Sequence, residues 1–506
     1  MPYKTAPQIL NDMQGGIVRV AFVDTSSSPA LIRAATQNPR TVCSDRARRC
    51  GGLGHRDPHQ PNHGGLSHYY NGDNMTTNGA TLDQRIAEAF LFTFPLHDVA
   101  RTRWRFTQHE TRHGKPPNVL HHSRQLLDDR ARQVTMPNND TLYSSAWLDL
   151  SDAPTTLAMP DMGDRYYSVA LMDAFTNNFA CLGPRTYGPG AHVFVIAGPA
   201  HHASAARVLP EGAQLVRAPC NDVWLLIRTL INGEADLPAV RALQDCMVLA
   251  TSSMKPALLV TTPDETSPAA YLSLVNEALA RNGVPADEQR MVDGFADLGI
   301  RAGVLRAWDE INPEVRSAWT RLWPELRRRL EHPPKGSVRR SGARGSWSSG
   351  LDHIGNFGKD YGYRAYISLV GLGALERTEA IYASALTDGD GQALDGTHRY
   401  RLHVPADMPV DAFWSLSMYE FEPDGRRFFT ANPIGRYAIG DRTHGLVRNE
   451  DGSVDIVIQH EYPEEGIANW LPAPKGPFSM ALRYYHPRRD LIEHRFVMSD
   501  TERVTG

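Results

Sequence analysis

The sequence predicts a mainly β protein with α insertions, built as two β lobes separated by a helical block. Three observations lead there. The 506 residues exceed what a single hydrophobic core usually serves. Short strand-like segments between turn signals gather in two regions, one ending near residue 230 and the other starting near 395, and two in the second region alternate apolar and polar residues. Between them the apolar period lengthens to that of a helix.

Residues 24–80 mix Ser, Pro, Gly, Arg and His with neither period, so residues 1–81 are expected to be a largely disordered extension. At Leu82 a helical pattern begins, with Ile86, Ala89, Phe90 and Phe94 on one face and a break expected at Pro95, before Leu96 and Val99. Strands are expected at 142–148, 165–172, 193–197 and 223–229, which makes residues 82–232 the first lobe.

Residues 233–350 form the helical insertion and linker. Leu237, Val240, Leu243 and Met247, then Tyr271, Leu274 and Leu279, recur at helical spacing, and Asn282-Gly283 has the form of a C-cap. The stretch 333–350, rich in Gly, Ser and Arg, is expected to be an exposed linker. Residues 351–506 are expected to hold two short helices, at 361–370 and 376–385, and then the second β lobe. There Val454, Ile456 and Ile458 alternate with Asp455 and Gln459. Phe478, Met480, Leu482 and Tyr484 alternate with Ser479, Ala481, Arg483 and Tyr485. Arg165-Tyr166 and Arg436-Tyr437, each near an Asn-bearing turn, hint at a duplicated unit.

A composition of 41% hydrophobic and 22% charged residues with net charge -4 argues against a nucleic-acid-coating or disordered chain. The N-terminus lacks the basic start and apolar run of a secretory signal, and no apolar run has membrane-spanning length, so a cytoplasmic location is expected. The five cysteines are sparse and odd in number, as suits reduced thiols.

Several motifs carry chemical content. His109-Glu110-Thr111-Arg112-His113 has the spacing of a helical zinc site, but Gly114, Pro116 and Pro117 follow at once, against a ligand-bearing helix. Cys43, Cys50, His55, His59, His63 and His68 are metal-ligand types without a CxxC clamp, and a His-rich coil is the preferred reading. No phosphate-cradling glycine motif and no GxSxG elbow occurs; Ser348 sits in the expected linker.

Polar residues in strand and turn contexts are the stronger candidates. Asn138, Asn139 and Tyr143 line either a turn or a cleft. Arg165, Tyr166 and Asn177, with Asp173, bracket one expected strand, although Asp173 suits a structural ion pair better. Asn432, Arg436, Tyr437, Asn469 and Trp470 pair rigid turns with groups suited to a pocket, and Trp470 serves equally as a core plug.

The strings PNNDTLYSSAWLDLSD, DRYYSVALMDAFTNN and GPRTYG resemble the first half of a tandem bacterial family, and LDGTHRYRLHV, FWSLSMYE, NPIGRYAIGDRT, DGSVDIVIQH and ANWLPAPKGPFSMALRYYHP resemble the second. These halves are the domains of unknown function twelve fifty-four and twelve fourteen, and the resemblance runs over most of residues 82–488. It implies two jelly-roll-like β sandwiches, the second preceded by helices, and no reaction. Residues 24–80 depart from the pattern.

The leading functional expectation is an enzyme acting on a small, partly apolar organic molecule in a cleft between the lobes. Asp140, Asp173, His353 and Tyr419 are the candidate acid-base groups, and Arg165, Arg436 and Asn469 the anchors. Trp414 and Arg483 complete the expected lining. Without a cofactor motif, hydrolase or lyase chemistry is favoured over redox. Two alternatives stand beside it. One is a non-catalytic carbohydrate or lipid-like binder stacking rings on Trp414, Trp470 and Tyr485. The other is a jelly-roll enzyme holding a divalent metal on His353, His460, His121 or His122, which is disfavoured. The expected partner is a small molecule, with self-association left open and neither nucleic acid nor membrane expected.

Overall fold

The computed structural model describes residues 80–109, 115–132, 135–253, 256–333, 337–341, 346–423 and 425–504. The expected extension up to residue 79, its Cys/His cluster and Glu110 to His113 lie outside the described residues. The first lobe carries strands β1 (His121–His122), β2 (Thr141–Asp149), β3 (Thr155–Met159), β4 (Tyr167–Met172), β5 (Asn178–Leu182), β6 (His192–Ala197), β7 (Gln214–Arg217), β8 (Asp222–Leu230) and β9 (Val248–Thr251). They form two open sheets, ordered β1-β2-β8-β4-β5 and β7-β6-β3-β9.

The second lobe begins with β10 (Arg339–Ser341), β11 (Trp347–Gly350), β12 (Ala380–Ala385), β13 (Arg399–Val404) and β14 (Val410–Phe421). It continues through β15 (Arg427–Phe428), β16 (Ala438–Gly440), β17 (Val454–Gln459), β18 (Trp470–Pro472), β19 (Phe478–Pro487) and β20 (Glu502–Val504). One sheet runs β10-β11-β12-β19-β14-β15, with β16 also on β14; the other runs β18-β17-β13-β20. The chain is mainly β, sandwich-like in each lobe, with helices inserted.

Helix α1 (Leu82–Trp104) opens with a capping box between Thr81 and Gln84. It is continuous where a break at Pro95 was expected. Every residue from Ile86 to Ala100 is buried, so packing on all sides holds the helix through the one rung that Pro95 cannot supply. Around it pack α2 (Pro268–Asn282), α3 (Pro313–Glu331) and α4 (Tyr361–Gly371). Phe90 meets Tyr271, and Phe92 meets Tyr361, at ring separations of 5.6 and 5.2 Å. Gly283 stands at the expected C-cap with a positive φ of 71° and bonds back to the Leu279 carbonyl. Among the described residues no helix is long and apolar enough to cross a membrane.

Three other expectations change. Residues 376–385 are not a helix: most of the stretch is β12, paired on both edges by β11 and β19, and Ala, Ile and Tyr accept whichever partner tertiary structure offers. The linker contains β11, whose Trp347 is buried and donates to the Ser499 carbonyl, so Ser348 stands in a strand. The helical block contributes β9 to the edge of a first-lobe sheet.

Strands β2, β4 and β8 are buried along their whole length, which a half-exposed sheet would not show. Alternation explains it. Leu148, Val169, Leu171, Val223, Leu225 and Ile227 join the helices in one core. The opposite parity, with Tyr143, Trp147, Met172, Trp224 and Leu226, meets Tyr419, Phe429 and Ala481 of the second lobe. In that lobe Trp414, Leu416, Met480, Leu482 and Tyr484 face the lobe's own core, while Phe413 and Tyr485 turn toward the first lobe. The lobes therefore clasp each other sheet to sheet.

Candidate functional site between the lobes

The seam between the two sheets holds an unusual density of buried polar groups. Cross-strand register sets them in two rows. On the first-lobe sheet Tyr143, Arg228 and Ser168 stand abreast on β2, β8 and β4. On the facing sheet Tyr382, Arg483 and Ser415 stand abreast on β12, β19 and β14. Each lobe thus presents a Tyr-Arg-Ser row to the other, and Arg228 and Arg483 are 0% and 1% exposed.

The contacts of the two arginines differ. Arg483 donates to Ser417 Oγ and to the Tyr419 hydroxyl, both at 2.5 Å. Arg228 donates from Nη2 to the Gly373 carbonyl at 2.9 Å, and its guanidinium lies 5.7 Å from the Tyr143 ring centre. Burial, only partly offset by the nearby arginines, pushes the Tyr143 phenol up and the Tyr382 phenol up to about 12, which keeps both neutral.

At one end of the seam Asn138 bridges the lobes. Its Nδ2 reaches the hydroxyls of Tyr143 and Tyr485, each at 3.3 Å, and its Oδ1 accepts from the Asp140 amide. The Asp140 carboxylate accepts from Ser415 at 2.5 Å and from Arg442 at 3.3 Å. Tyr419 donates to the Pro137 carbonyl at 2.8 Å and stacks on Phe429.

At the other end stands a group that sequence reasoning missed, save for Tyr166. Glu379 is buried just before β12 and accepts from Tyr166 at 2.9 Å, Arg185 Nε at 2.7 Å and His486 Nε2 at 3.2 Å. Burial pushes the Glu379 carboxyl up, but His486 and Arg185 together hold it below its ordinary value. His486, the last residue but one of β19, has φ 47°, a left-handed backbone that a non-glycine residue adopts only where its surroundings impose it. Its imidazole packs edge-on to Tyr166 at 4.9 Å, and Arg185 and His486 both keep part of their surface in solvent. Glu379 and His486 escaped notice because the first lay in a stretch expected to be helical and the second follows a run of aromatic residues. Arg228, the one charge in the run VWLLIRTL, is the signal the sequence offers.

The remaining expected site residues are placed elsewhere. Arg165 grips Asp236 with both Nη atoms and the Leu230 carbonyl. Asp173 folds its own turn, accepting from the amides of Phe175 and Asn177. Asn177 then accepts from the Phe357 amide. Asn139 donates to the Leu127 carbonyl, and His353 meets Asp360 at 3.0 Å in a half-exposed position.

Asn432 closes the turn that leads to Arg436, whose Nη1 holds the carbonyls of Ile467, Ala468 and Trp470. Tyr437 donates to Asp129, and Asn469 pins Val447 and Asp455. Trp470 is a core plug, with Nε1 on the Gln459 carbonyl, and Trp414 faces the second lobe's core. Neither is an exposed platform. His121 and His122 form β1, His122 with Nδ1 on Ser144, and His460 Nδ1 lies on the Ala473 carbonyl. His109 is stacked on Trp104. Among the described residues no group of three or more His, Cys, Asp or Glu side chains is placed to hold a metal ion.

The fold and the seam define a class: a two-lobed β protein whose lobes are locked face to face over a buried layer of arginines and tyrosines. The chain belongs to the tandem family in which a Protein of unknown function (DUF1254) domain, matched here at residues 117–251, is followed by a Protein of unknown function (DUF1214) domain, matched at 379–489. It is similar to the VPA0106 protein from Vibrio parahaemolyticus, whose crystal structure superposes with a TM-score of 0.67 at 21% identity over 84% of this chain and 100% of that one. A putative uncharacterized protein from Burkholderia cenocepacia aligns at 12% identity and TM-score 0.39, over 83% of this chain and 89% of that one. No curated protein matches the sequence.

Proposed function

We propose that the chain is an enzyme acting on a small, partly apolar organic molecule at the seam between its lobes, by acid-base chemistry of the hydrolase or lyase type. One observation carries the reading: His486, held in a left-handed backbone, is bonded through Nε2 to the buried Glu379, while its Nδ1 has no hydrogen-bond partner among the described residues. With the Nε2 proton donated to Glu379, Nδ1 keeps its lone pair and is free to take a proton from a substrate or from water. Glu379 fixes the tautomer and stabilises the imidazolium that forms, and Tyr166 and Arg185 fix Glu379. The four side chains come from both lobes, so the arrangement exists only when the lobes are clasped.

The test is turnover of a panel of aryl esters, amides and hydroxy acids by the purified chain and by His486→Gln and Glu379→Gln. The expected result is a fall of about 10²- to 10⁴-fold in His486→Gln, the usual contribution of a positioned acid-base group. A smaller loss is expected in Glu379→Gln. Undiminished turnover in His486→Gln would falsify the assignment.

A further inference from the structure

Arg228 is a permanent cation wholly buried in the seam. A guanidinium holds its proton at any accessible pH, so it cannot shed its charge by titrating as a buried lysine does. Among the described residues no carboxylate forms an ion pair with it, and Nε and Nη1 have no hydrogen-bond partner, Nη2 alone being used, on Gly373. Buried charges in proteins are otherwise paired, because isolation in a low-dielectric interior is strongly unfavourable.

The surroundings define what would pair with it. Tyr143, Tyr382, Tyr166 and Tyr485 are the ionisable groups that act most strongly on Arg228, and as neutral phenols they supply hydroxyl dipoles and ring faces but no charge. Arg483 acts on Tyr143, Tyr382 and Tyr485 as well, so a second cation stands behind the same phenols. Leu226 and Ala481 provide apolar wall on the two sheets. Tyr382 is half-buried, with its hydroxyl shut in the seam, and also borders a small cleft with Arg377 and Ile354.

We propose that the seam is a binding site for a small organic carboxylate, its anionic head on Nε and Nη1 of Arg228 and its apolar body against the tyrosine rings. The proposal rests on the reading of the seam as the substrate site and names the class of molecule that enters it. A planar carboxylate matches the planar guanidinium fork, and each oxygen accepts one of the unused N–H bonds. The symmetric Tyr-Arg-Ser rows place Arg483 across the same layer.

The experiment is a thermal-shift titration of the full chain with acetate, butyrate and benzoate, each against its uncharged amide, in wild type and Arg228→Gln. A ligand that binds only the folded state raises Tm with concentration. The expected result is a Tm rise with a carboxylate and none with its amide, weakened about 10- to 100-fold in concentration in Arg228→Gln, as for a lost charged hydrogen bond. If Arg228→Gln does not fold, a crystal structure with 4-iodobenzoate replaces it, and the iodine position must put the carboxylate on Arg228. No shift with any carboxylate, equal shifts with acid and amide, an undiminished shift in Arg228→Gln, or iodobenzoate bound elsewhere overturns the proposal. The titration reads binding alone, so it is separable from the chemistry assigned to His486: in His486→Gln turnover is lost and the carboxylate response stays.

Discussion

Tyr166 of the first lobe donates its phenolic proton to Glu379 of the second at 2.9 Å, across 213 residues of sequence. The bond is buried, and it makes the carboxylate a hinge pin between lobes as well as the partner of His486.

Replacing Glu379 by Gln removes the charge that Arg185 and His486 share, and the expected cost is about 3 kcal/mol at pH 7, the usual scale for breaking a buried ionic pair. The folded carboxyl lies below its ordinary value of 4.5, so its contribution is present above that pH and is lost as the pH falls through the folded value. Urea unfolding of wild type and Glu379→Gln should therefore give a gap that narrows once the pH drops below 4.5.

His97 tests the opposite side of acid sensitivity. It is buried against Tyr271 at 4.7 Å with no hydrogen-bond partner on either ring nitrogen, and burial, with Arg101 and Arg327, pushes it down to about 3 from 6.5. The unfolded chain takes up this proton first, so stability falls as the pH drops below 6.5, by about 1.4 kcal/mol per pH unit. His97→Phe keeps the ring and removes the proton. Between pH 7 and pH 5 the wild type should lose about 2 kcal/mol more than the variant in urea melts.

Arg165 separates scaffold from site. Its fork on Asp236 and Leu230 ties the end of β8 to the helical block. Arg165→Ala should lower stability by about 1–3 kcal/mol and leave the response to carboxylates intact. A lost carboxylate response in a folded Arg165→Ala protein would put Arg165 back among the anchors.

Gly396 and Gly476 make a matched pair, joined by a backbone hydrogen bond of 3.0 Å. A Cβ on Gly396 would run into the Pro474 carbonyl, whereas a Cβ on Gly476 meets nothing within 4 Å. Gly396→Ala should cost about 3 kcal/mol or more and Gly476→Ala less than about 0.5 kcal/mol, read from Tm.

Sequence determined the fold class here because period-two alternation states which residues share a face. Strands β17 and β19 were legible for that reason, β2 and β8 from the turn signals around them, and the C-cap from Asn282-Gly283. Alternation does not say what each face meets. The parity of β14 sends Trp414, expected to line a pocket, into the second lobe's core and its neighbour Ser415 to the seam. The stretch at β12 carried no decisive period, and only its place between β11 and β19 made it a strand. The site was harder still, since Tyr166, Arg185, Glu379 and His486 are distant in sequence and become one group only when two buried sheet faces close on each other. Local pattern set the elements, and the packing of one lobe on the other decided which polar side chains are shut away from water without a charged partner.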